Sequence, residues 1–137
     1  MSWIFATRSN WLGRWLPLLL AMGVIFFVSN QPSVALPSFD FWDLVVKKLG
    51  HFFAYAALAL LALRAVLGWQ RPYLTAALIA FFYALSDEFH QTFIPGRNGT
   101  WVDVVIDMAG ALTSLWLFYW RRWVPQQPVS SHAFVDT

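Results

Sequence analysis

The stretch "LTAALIAFFYALSDEFHQTFIPGR", Leu74 to Arg97, sets an almost uninterrupted apolar run directly against Asp87, Glu88, His90 and Gln91. A membrane-crossing helix needs about 20 residues, and this one reaches that length only if it continues through "SDEFHQ". The two acids then sit at a helix C-terminus, where the dipole disfavours negative charge. A carboxylate facing lipid there is expensive, and intramembrane ionisable groups usually turn to the bundle interior and pair. The rest of the chain therefore has to supply partners for them.

Working outward, the composition names the solvent. Of the 137 residues, 59% are hydrophobic and 12% charged, about half the charge of an ordinary soluble domain, and the mean hydropathy is +0.55. That apolar excess does not fit inside one small core. Other apolar segments run over residues 15–28, 50–69 and 101–120. The first is short for a span unless its helix starts near Trp11 with Arg14 snorkelling to the interface. The expected fold is all-α, a polytopic membrane four-helix bundle. Its helices lie at about 12–28, 50–69, 72–92 and 101–120, within a domain of residues 1–124. Residues 125–137 are polar, carry two prolines and read as a disordered cytoplasmic tail. There is no cysteine, so disulfides and thiolate metal sites are excluded.

The basic residues orient the chain. Arg8, Arg14, Arg64, Arg71, Arg121 and Arg122 fall on one side of a bundle that crosses four times, and Lys47, Lys48 and Arg97 on the other. The positive-inside rule then places both termini in the cytoplasm. Arg8, Arg14, the following apolar run and "SVA" at Ser33–Ala35 imitate a secretory signal. Pro37, two residues beyond the cut, argues against cleavage. Phe39, Phe41, Trp42, Leu44 and Val45 suit an interfacial segment.

Helical spacing gathers the polar residues at one depth. Lys48, His51 and Tyr55 share a face of the second helix, because residues three and four apart are neighbours. Tyr83, Asp87 and His90 share one on the third, with Glu88 and Gln91 adjoining, and Asp103, Asp107, Gly110 and Ser114 share one on the fourth. All lie near the outer ends of their helices, so the expectation is a single outward-facing polar pocket. Plainer roles compete at some positions. Thr100 and Asp103 form a Thr-x-x-Asp capping box, and Gly110 with Ser114 suits close helix packing. The Pro95-Gly96 turn is expected to return the Arg97 guanidinium towards the acids at the end of the third helix.

These motifs resemble the VanZ-like family of small bacterial membrane proteins. The resemblance rests on "SNQP" after the first helix, "KKLGHFFAYAALALLAL", "SDEFHQTFIPGR" and "WVDVVIDMAGA". It implies the four-helix fold and, through a member linked to teicoplanin resistance, an envelope role, without implying a defined biochemical activity. The family's usual motif asparagine in the fourth helix corresponds to Asp107 here, which adds a carboxylate.

The leading functional expectation is a site for an anionic membrane lipid or lipid-linked envelope precursor at the outer leaflet. Its ligand-binding residues are Lys48, His51, Tyr55, Gln91, Arg97, Asp103 and Asp107. If the protein is an enzyme, Asp87, Glu88 and His90 are the acid and base candidates. A small transporter subunit ranks behind both, since the polar residues stop near Asp107. No Cys nucleophile or G-x-S-x-G elbow is present, and His90 at i+4 is a poor base for Ser86, which argues against covalent hydrolysis. No cofactor, metal or nucleic-acid partner is expected. Histidine with carboxylates can hold zinc or manganese, but His51 and His90 lie on different helices and no H-x-x-x-H pattern occurs, so a metal stays a minor alternative. Association with further copies of the chain stays open.

Overall fold

The computed structural model describes residues 11–31, 40–97 and 99–123. Four helices make up this part of the chain: α1 Trp11–Ser29, α2 Asp40–Ala65, α3 Pro72–Gln91 and α4 Trp101–Trp123. The helix ends that meet show that the chain runs back and forth. Arg64 near the end of α2 donates to the Gly13 carbonyl at the start of α1, and Arg14 donates to Leu67. At the other end Ser29 reaches Asp87, and Lys48 reaches Asp103.

Three of these helices are long and apolar enough to cross a membrane: Trp11–Ser29, Val45–Ala65 and Trp101–Arg122. The third helix does continue through "SDEFHQ", giving α3 its 20 residues, yet those same polar residues keep it out of that group. Helix α1 starts at Trp11, as a full span requires. Helix α2 differs from the expected range of about 50–69, because it begins at Asp40 and ends at Ala65. Its first turns fall in the stretch expected to lie in the interface, where Asp40, Asp43, Lys47 and Lys48 interrupt the apolar residues. Its end is set by the turn containing Gly68, whose φ of 104° favours glycine. The proposed signal cut at Ser33–Ala35, the interfacial side chains from Phe39 to Leu44 and the tail at 125–137 lie outside the described residues and side chains.

The buried face of α3 is made of small residues. Ala76, Ala80 and Ala84 line it at spacings of four and are fully buried in one cluster with Ala59, Ala62, Leu63 and Ala111, and with the larger Tyr55, Leu58 and Leu115. Many other large apolar side chains point outwards: Phe27, Phe53, Phe82 and Val105 are 64–67% exposed. Such an apolar surface suits lipid, where association depends on close packing of small residues. The buried face of α3 then runs on from Ala84 into Asp87, Glu88 and Gln91. The stripe that packs the bundle thus carries charge into the same interior.

Helix α4 approaches α2 most closely at Gly110, where a Cβ would collide with the Phe52 carbonyl. One turn further on, the Ser114 hydroxyl donates to the Ala56 carbonyl across the same seam at 3.0 Å. The small pair that the sequence offers for packing sits where two backbones nearly touch.

Candidate functional site

The polar stripes meet at the end of the bundle formed by the C-termini of α1 and α3 and the N-terminal halves of α2 and α4. Between α2 and α4 two rungs form. Lys48 Nζ bonds Asp103 Oδ1 at 2.7 Å, and one turn deeper His51 Nδ1 lies 3.1 Å from Asp107 Oδ1. Burial increases along this ladder: the Lys48 and Asp103 side chains keep 32% and 23% of their surface, His51 keeps 19%, and Asp107 keeps none. The pair that meets solvent is the outer one.

From α3, Asp87 and Glu88 enter the same space. Asp87 Oδ2 accepts from Ser29 Oγ at 2.9 Å, from Gln91 Nε2 at 3.2 Å and from Tyr55 at 3.5 Å. Glu88 accepts from Gln91 Nε2 at 3.3 Å and from the Thr100 backbone N–H at 2.9 Å. This last bond corrects the expected capping box. Thr100 caps α4 by accepting from the Asp103 N–H, but its own N–H goes to Glu88 and not to Asp103. Asp103 is thereby left for Lys48 and for the Thr100 hydroxyl. Gly99 makes this possible, because a Cβ there would collide with the Glu88 carbonyl.

Asp87, Glu88 and Asp107 are all buried, and no arginine or lysine bonds any of them among the described residues. Two carboxylate oxygens, Asp87 Oδ1 and Asp107 Oδ2, are buried with no hydrogen-bond partner. Buried polar atoms are almost always satisfied, so two orphans in one cluster mark it as something other than a settled structural network. His51, Glu88 and Asp107 also present ligand-type atoms within 4.8 Å of one another.

Two expected members stand apart. Arg97 does not fold back onto the acids: its guanidinium donates to the Val28 and Ser29 carbonyls at the end of α1. Those carbonyls carry the negative end of the α1 dipole, which attracts the guanidinium, and the Val28 carbonyl also accepts from the Gln31 N–H. His90 turns to Asn30 Oδ1 at 3.3 Å and lies against the Phe26 ring, away from the cluster. The remaining expected residues, Lys48, His51, Tyr55, Asp87, Glu88, Gln91, Asp103 and Asp107, are brought together. Ser29 and the Thr100 N–H join them unforeseen. Ser29 opens the "SNQP" segment, and its place at the end of the first apolar run is the one sequence signal that could have found it. Cavities of about 660 and 390 Å³ lie towards the opposite end, the larger lined by Leu60, Leu63, Arg64, Leu117 and Arg121.

A family model described as VanZ/LLP1 matches residues 14–122. The chain belongs to this family. The match takes in all four helices from Arg14 onwards and every residue of the cluster. Comparison with curated proteins and with solved structures finds no match. For this VanZ/LLP1 member, the geometry of the cluster is therefore the ground for reasoning about its activity.

Proposed function

We propose that this membrane protein binds the phosphate-bearing headgroup of an anionic lipid or lipid-linked envelope precursor, with the cluster end of the bundle at the outer leaflet. The observation that carries the reading is the ladder from the half-exposed Lys48–Asp103 pair down to buried Asp107. It is a polar route from the membrane surface into a helix bundle. Lys48 stands at its mouth and exchanges Asp103 for an incoming phosphate. Arg97, at the end of α1 and apart from the ladder, uses one guanidinium nitrogen on the α1 carbonyls and keeps further donors for an anionic headgroup at the membrane surface, since arginine offers five N–H bonds in a planar fork. The envelope and glycopeptide-resistance role implied by the family resemblance belongs to the same proposal.

The test is native mass spectrometry of protein extracted gently into detergent and offered phosphatidylglycerol, a polyprenyl phosphate or zwitterionic phosphatidylcholine. The expected result is retention of an anionic lipid in preference to phosphatidylcholine, reduced about tenfold in Lys48→Ala. Equal retention of all three, or retention unaffected by Lys48→Ala, contradicts it.

A second reading, a membrane enzyme acting on a headgroup, is favoured by the His51–Asp107 pair. A carboxylate on one ring nitrogen orients an imidazole for general acid–base work. In that version His51 replaces His90 as the working histidine, with Glu88 beside it.

A further inference from the structure

We propose that His51, Glu88 and Asp107 hold a divalent first-row transition cation. The three residues come from α2, α3 and α4, and their ligand atoms already lie within 4.8 Å of one another. Ligand atoms about 2.1 Å from one ion stand roughly 3–4 Å apart, so a closure of about 1–2 Å at most completes the set. The His51 Nδ1 to Asp107 Oδ1 edge is within this range at 3.1 Å.

The independent sign of a missing ligand is Asp107. Its side chain is fully buried, one oxygen faces His51, and the other has no partner. Burying a carboxylate with an unmet oxygen is costly, and a bound cation removes the cost. Charge points the same way. A divalent ion between Glu88 and Asp107 makes a neutral unit in a low-dielectric interior. Asp87 beside it is served by Ser29, Gln91 and Tyr55.

The surroundings also resemble a support for ligands. Glu88 is oriented by the Thr100 N–H and Gln91, as outer hydrogen bonds orient metal-binding carboxylates. One imidazole with two carboxylates suits manganese, iron or zinc better than a soft ion that prefers sulfur. The half-exposed Lys48–Asp103 pair one turn above gives the ion its entrance.

This inference goes beyond the lipid reading and does not need it. The probe is Mn²⁺ alone, added to the purified full-length chain in detergent after chelator treatment. Free ion is followed by electron paramagnetic resonance, and ligand nitrogen by pulsed echo modulation. The expected result is one saturable ion per chain with a directly bound histidine nitrogen. His51→Gln should remove the nitrogen signature, and Glu88→Gln and Asp107→Asn should each weaken binding about tenfold or more. His90→Gln should change neither. Absence of a saturable site, a nitrogen signature that survives His51→Gln, or undiminished affinity in both carboxylate variants overturns the proposal. Should a variant fail to fold, the wild-type nitrogen signature and its persistence in His90→Gln/His132→Gln, which keeps His51 as the one histidine of the sequence, decide alone. Because no lipid is added, failure here and failure to retain an anionic lipid are separate results.

Discussion

His51 and Asp107 hold the steepest change of environment in the cluster, from a partly exposed ring to a fully buried carboxylate at 3.1 Å. Removing one partner of a buried pair leaves the other uncompensated, at about 3–5 kcal/mol, whereas replacing both with apolar residues is often neutral. His51→Leu should therefore destabilise the protein in detergent by several kcal/mol, and His51→Leu/Asp107→Leu should recover most of the loss. Equal midpoints for single and double variants in a thermal melt would show that the two residues are not coupled. Arg97 acts on the end of α1, where a cation is worth about 0.3–2 kcal/mol. Arg97→Ala should lower stability within that range, and Arg97→Lys should restore much of it, as measured by the same melts. At this scale much of the site was legible in the sequence. Lys48, His51, Tyr55, Asp87, Glu88, Asp103 and Asp107 declare themselves because a charge among apolar residues needs a reason and helical spacing assigns it a face. The direction of Arg97 was not legible, since helix-end carbonyls exist at every helix and carry no residue signature. The bond from the Thr100 N–H to Glu88 escaped for the same reason: a backbone donor has no letter in a sequence.

At the level of the helices, α3 joins packing to function. Its alanines let neighbouring helices come close, and the same face carries Asp87 and Glu88 inwards. Gly110 does the equivalent for α4. Gly110→Ala places a Cβ against the Phe52 carbonyl and should cost about 1–3 kcal/mol, as overpacking does, with the His51–Asp107 rung pushed apart. Gly23→Ala in α1 meets nothing within 4 Å and should be neutral or slightly stabilising, because alanine is the better helix former. Thermal melts of the two variants side by side check this, and similar losses in both would contradict the close approach at Gly110. The existence and order of the helices follow from the apolar runs. The early start of α2 at Asp40 does not, because a helix outside the hydrocarbon is no more apolar than a loop.

Among the described residues many large apolar side chains face outwards, the buried acids gather at the cluster end, and basic residues such as Arg14 and Arg64 lie at the other. Combined with the positive-inside rule, this predicts that the α3–α4 turn is extracytoplasmic and the α2–α3 turn cytoplasmic. The chain lacks cysteine, so single cysteines report without background. In intact cells an impermeant thiol reagent should label Thr92→Cys and spare Gln70→Cys until the membrane is opened. The opposite pattern inverts the orientation and moves the headgroup site to the inner leaflet.

If the buried acids serve a ligand at the expense of the fold, Asp87→Asn is the variant that shows it. One Asp87 oxygen accepts from Ser29, Gln91 and Tyr55, while the other has no partner. Asparagine can therefore keep these bonds on its oxygen and remove the charge, with its amide N–H groups in the place of the orphan oxygen. The measurement is the unfolding midpoint of the ligand-free protein in detergent. If the carboxylate is there for a ligand, the variant should be as stable as the wild type or more stable, as buried ion pairs replaced by well-packed apolar residues are neutral or stabilising by about 1–4 kcal/mol. A loss of several kcal/mol would mean that the charge itself holds the bundle together, and would contradict the account.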